Sequence, residues 1–125
     1  MKTNSVAWFE IPVTDIKRAK AFYDKVLDVE IQVTDFGGVM MGFFPTAGED
    51  APGAMGSLVQ YESYIPSHEG TLVYFSSEDV QIELDRIEAA GGKIMQPKSQ
   101  ISEEHGYMGL FEDSEGNRMA LHSNK

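Results

Sequence analysis

No cysteine occurs among the 125 residues. Disulfides, thiolate metal sites and a cysteine nucleophile are excluded, and the composition fits a cytoplasmic protein. No apolar run approaches the roughly 20 residues that span a bilayer. The opening MKTNSVAWFE turns polar and then acidic where a secretory leader needs an apolar stretch, so no leader is expected. Positive charge is scarce: 10 Lys and Arg stand against 20 Asp and Glu, a net charge of −10. Such a field repels nucleic acid and anionic membranes. It suits a cationic ligand, or simple solubility. Phosphate-cradling loops, a serine nucleophile elbow and basic–aromatic interleaving are also missing. Tryptophan occurs once, at position 8.

What is present is a pattern of short strands and two amphipathic helices. In VAWFEIPVTD, Ala7, Phe9, Ile11 and Val13 recur with period two, the mark of a strand with one buried face. The opposite face carries Trp8 and Glu10, an apolar ring beside a carboxylate. Thr14 or Asp15 can cap a helix whose apolar stripe is Ile16, Ala19, Phe22, Tyr23, Val26 and Leu27. VEIQVTDF and GGVMMGFFP read as strands about a Gly37–Gly38 turn, TAGEDAPGAMG as a loop, and SLVQYESYI as a strand. The second half repeats the order: TLVYFSS, a helix capped at Glu78 or Asp79 and stopped at Gly91–Gly92, then KIMQP. SQISEEH reads as a loop, and GYMGLFE and RMALHS as the last strands.

A shift of 64 positions lays Trp8 on Leu72, Phe9 on Val73 and Asp15 on Asp79. Each half is thus β-α-β-β-β, over about 5–65 and 70–123, within one domain, 1–125. One such unit leaves a sheet face bare. Two can pair their curved sheets around a concave cleft with the helices outside, an α+β architecture. On that arrangement Trp8, Glu10, Tyr74 and His122 face the cleft by strand alternation.

FEIPVTDIKRAKAFYDKVLD, IEAAGGKI and FEDSEGNRMALH, at these separations, resemble the vicinal oxygen chelate superfamily, which includes glyoxalase I, bleomycin- and fosfomycin-resistance proteins, extradiol dioxygenases and methylmalonyl-CoA epimerase. The resemblance implies a homodimer, and in metal-using members four inward ligands from the first and last strands of each half. Those positions fall on Trp8, Leu72 and Ala120, with the fourth between Ser57 and Gln60. Trp, Leu and Ala cannot ligate a metal, so no metal and no cofactor are expected. A displaced site would have to draw on Glu10, His105, Glu112 and His122.

The remaining chemistry rests on few groups. Glu10 against the indole of Trp8, or His122, can serve as a base; alternatively Glu10 pairs with Arg118 or His122 in a buried network. Tyr74, Gln60, Met41, His105 and Tyr107 are expected to supply ligand contacts, and the methionines a soft wall. Four functions stay open: a metal-free binder of a small aromatic or cationic molecule, akin to the bleomycin-resistance branch; a lyase, isomerase or epimerase using Glu10 or His122; a displaced-metal enzyme; and a metabolite-sensing domain.

Overall fold

A computed structural model describes residues 3–125. The first half runs β1 (Trp8–Pro12), α1 (Ile16–Leu27), β2 (Gln32–Asp35), β3 (Met40–Phe43) and β4 (Met55–Gln60). The second runs β5 (Tyr74–Ser76), α2 (Val80–Ala90), β6 (Lys93–Ser102), β7 (Gly106–Glu112) and β8 (Arg118–Ser123). Each half makes its own mixed sheet, ordered β1-β4-β3-β2 and β5-β8-β7-β6. Only β1–β4 and β5–β8 are parallel. The expected paired β-α-β-β-β repeat is the architecture observed. No helix of the described residues is long and apolar enough to cross a membrane.

Local chemistry sets the helix limits. Asp15, in extended conformation, accepts from the Lys17 and Arg18 amides at 3.1 Å and caps α1. Asp79 does the same for α2 through the Gln81 amide. Gly91 ends α2 at φ 106°, a left-handed C-cap where a side chain would be strained. Its neighbour Gly92 is needed for another reason: a Cβ there would lie 2.7 Å from the Phe22 ring and 2.5 Å from the Glu112 carbonyl oxygen.

Several strand boundaries differ from the sequence reading; β2 begins only at Gln32 and β5 only at Tyr74. Ala7 precedes β1 and is exposed, so the buried row begins with half-buried Phe9. β4 stops at Gln60 because its antiparallel partner β3 runs out at the Met40↔Gln60 pair; the YESYI segment is linker. SQIS belongs to β6, which stays paired with β7 as far as Ser102↔Gly106, with register shifts around Pro97. Proline has no N–H for the ladder, so the strand bulges there and does not end.

The two halves share one core. Phe22 of α1 packs on Phe111 of β7, and Phe9 of β1 meets Phe75 of β5 at 6.3 Å between ring centroids. Polar groups lock the same junction. Tyr23 donates to Asp113 Oδ2 at 2.6 Å, wholly inside. Asn117 Nδ2 donates to the Pro12 carbonyl at 2.7 Å. The buried Glu115 side chain accepts from the Thr14 and Asp15 amides, the Thr14 hydroxyl and the Arg18 guanidinium. Burial pushes the Glu115 carboxyl up, but the bonds from Arg18, Asp15 and Thr14 outweigh it and bring it down to about 2 from an ordinary 4.5.

A depressed carboxylate stabilises the fold above its unfolded value and loses that contribution as pH falls through its folded one. Thermal melts should therefore drop between pH 4.5 and about 2 more steeply for the wild type than for Glu115→Gln. At neutral pH, Glu115→Gln should cost about 1.5–3 kcal/mol, the scale of hydrogen bonds to a charged group. Parallel acid profiles for the two proteins would contradict the role given to this carboxylate.

Candidate functional site

β1 and β5 each have a partner on one side only, and no ladder joins them to one another. Between these two free edges lies a cleft of about 1010 Å³, the upper end of the size range of small-molecule sites. The polar loop after β3 borders it. Its walls include residues 6–10, 44–49, 51–55 and 71–76. These are unbroken runs. A sheet face would contribute every second residue. The cleft is therefore walled by the edges of β1 and β5, the segments leading into them and the loop after β3, where the sequence reading expected one alternating face.

Trp8, Glu10 and Tyr74 all border this cleft. Trp8 is 40% exposed and edge-on to Phe43 at 6.1 Å; Tyr74 is 48% exposed. Glu10 is exposed. It does not join Arg118 or His122. Tyr64 of the linker donates to Glu10 Oε1 at 3.0 Å instead, and that carboxylate raises the Tyr64 phenol by accepting its proton bond. The sequence reading missed Phe9, Phe44 and Glu49, which also border the cleft together with Met55, one of the methionines read as a soft wall. Phe9 was assigned to core, and the 44–54 loop carries no periodic signal. Among the described residues, Glu10 and Glu49 are the only charged ones bordering it, which makes this lining negative.

The other candidates lie elsewhere. Gln60 Oε1 accepts from the Ile16 amide at 2.7 Å, closing the first turn of α1. His122 donates through Nε2 to the His105 carbonyl at 2.6 Å. The exposed His105 ring lies 3.1 Å from Ser102 Oγ. Tyr107 packs against the core with Lys98 Nζ 4.7 Å from its ring centre. Met41 is half-buried in β3 opposite Thr34 and Val59. A second, smaller hollow of about 330 Å³ lies between the linker, at Tyr61 and Tyr64, and Val13, Thr14 and Gly38.

The sheet registers resolve the fourth would-be ligand position. Glu10 pairs with Ser57 as Tyr74 pairs with Ala120. With Trp8 and Leu72 each two residues earlier, the equivalent of Ala120 is Ser57. The four inward positions thus hold Trp, Ser, Leu and Ala. Ser57 Oγ is the single oxygen among these side chains, and it is buried without a hydrogen-bond partner. One neutral hydroxyl does not make a divalent-ion site. Among the described residues no three His, Asp or Glu side chains converge into a replacement.

Residues 5–121 match the family model described as Glyoxalase/Bleomycin resistance protein/Dioxygenase superfamily. No curated protein matches the chain. Among solved structures, TnmS3, an antibiotic binding protein from Streptomyces sp. CB03234, aligns with a TM-score of 0.71 at 22% identity over 100% of this chain and 99% of that one. The fosfomycin resistance protein FosX from Listeria monocytogenes aligns at 0.71 and 20%, over 100% and 94%. Glyoxalase I from Zea mays aligns at 0.72 and 18% over 94% of this chain, which spans 45% of the plant protein. Identities at this level speak to the fold.

The placement of Trp8 is directly measurable. As the sole tryptophan and 40% exposed, it should be quenched efficiently by acrylamide. An indole fully shielded from acrylamide would contradict its position in the cleft wall.

Proposed function

Because this chain belongs to the glyoxalase/bleomycin resistance protein/dioxygenase superfamily, we propose that it binds a small aromatic, cationic molecule between β1 and β5 without a metal ion. One observation carries this reading: the cleft combines Trp8, Tyr74, Phe9 and Phe44 with Glu10 and Glu49, and among the described residues no basic side chain borders it. A planar cation can stack on the rings and pair with the carboxylates. An anionic substrate would enter a field of its own sign. The likeness to an antibiotic binding protein supports sequestration as the activity. The composition of the four inward positions supports metal independence. The family also supports a homodimer, with the clefts beside the subunit interface.

A second reading is proton transfer by Glu10 in a lyase or isomerase. The Tyr64 hydroxyl, 3.0 Å from Glu10, favours it, since the pair could hand a proton to and from a substrate carbon or oxygen. His122, tied to the His105 carbonyl, is the weaker base candidate.

Titration with proflavine, a planar cation, should quench Trp8. Glu10→Gln should weaken that binding several-fold to tenfold, since a cation–carboxylate or cation–π contact of about 1 kcal/mol or more converts to that factor. Indifference of Trp8 to the dye would remove the reading. Elemental analysis of gently purified protein should find no stoichiometric zinc, nickel, iron or manganese. One tightly held equivalent, lost in Glu10→Gln or His122→Ala, would establish a displaced metal site instead.

A further inference from the structure

The unbroken runs that wall the cleft mean that main chain borders it, and the ladders reveal which groups are free. The Val13 amide donates to the Val59 carbonyl at 2.9 Å, while the register sets Pro12 opposite Val59. In a parallel pair one set of alternate residues turns N–H and C=O toward the neighbour, and the other set turns them away. Phe9, Ile11 and Val13 therefore bond to β4. Trp8, Glu10 and Pro12 turn their main-chain groups to the open side. The Pro12 carbonyl confirms this parity, since it accepts from Asn117 of the second half.

β5 follows the same rule. The Ala120 amide donates to the Val73 carbonyl at 3.0 Å, and the Ser77 amide to the His122 carbonyl at 2.8 Å. Val73, Phe75 and Ser77 face β8, leaving Tyr74 and Ser76 with free main-chain groups. Two edges, each carrying alternating donors and acceptors, thus border one negative, aromatic cleft without bonding to each other. Free edges template further pairing unless they are blunted. Here they lie inside a cleft whose volume fits a small ligand.

We propose that the cleft recognises its ligand by main-chain pairing, so that the ligand is a short, cationic, peptide-like compound bearing secondary amides. Its amide N–H and C=O groups would meet the free groups of Trp8 and Glu10 on one side and of Tyr74 and Ser76 on the other. Its cationic end would face Glu10 or Glu49, and an aromatic group would lie on Trp8. The inference rests on the reading of the cleft as a small-molecule site and adds the functional group that it selects.

The test uses acetyl-phenylalanyl-arginine amide, the same compound with its amides N-methylated, and proflavine, which has no amide. Trp8 emission reports binding, and amide hydrogen exchange by NMR reports pairing. The unmethylated peptide should bind about tenfold more tightly than its methylated form, the equivalent of one to two hydrogen bonds. It should slow exchange at Trp8, Glu10, Tyr74 and Ser76, and proflavine should not. Equal affinity of the two peptides, or unchanged exchange at those amides, overturns the proposal while proflavine binding leaves the small-molecule reading intact. Protection that grows with protein concentration alone means that a second copy covers the edges, which also overturns it. If neither peptide nor dye moves Trp8, both readings fall together.

Discussion

The buried carboxylate of Glu115 is the joint on which the arrangement turns. It sits in the tight turn between β7 and β8, yet its partners are the N-terminus and first turn of α1, up to 101 positions away in sequence. Nearby, Asp113 takes the Tyr23 hydroxyl and Asn117 the Pro12 carbonyl. The DSEGN segment is thus a plug that fixes the second half against α1 and the end of β1. A buried polar group must be satisfied, and here the satisfying groups belong to the other half. The halves cannot slide on one another without leaving these groups orphaned.

Docking at this joint brings the free edge of β1 to the same cleft as that of β5. The Phe9–Phe75 contact closes the core side of the seam, and the loop after β3 borders it. The cleft is a consequence of two sheets held adjacent but not merged. Its negative lining follows from which of the described residues reach it: two carboxylates and no basic side chain. Tyr64 completes the picture, because the linker that joins the halves also occupies Glu10. Any cation that pairs with Glu10 competes with that hydroxyl.

The inward positions that could hold a metal in this fold show how one scaffold changes use. Trp8, Leu72 and Ala120 contribute apolar surface, and Ser57 one unpartnered hydroxyl. The scaffold keeps its paired registers while the chemistry on them differs, so the fold alone does not specify a reaction. Sites are decided by side chains at those registers, and here these are apolar but for one hydroxyl.

The sequence by itself determined both helices with their Asp15 and Asp79 caps, the two-fold β-α-β-β-β order and the pairing of Trp8 with Glu10 on one strand face. Those features are local: capping, helical periodicity and strand alternation act over a few residues. Strand ends were less legible, since β4 stops where β3 runs out and β6 continues past Pro97 because β7 still pairs with it. Only the tertiary structure decided that edges wall the cleft, that Gln60 is spent on the α1 terminus, and that His122 is tied to the His105 carbonyl. A period of two tells which way a side chain points, and it carries no information about what lies beyond the strand's edge. That neighbour is set by contacts between the halves, of which Asn117 with Pro12 is the most distant in sequence and Tyr23 with Asp113 the most enclosed.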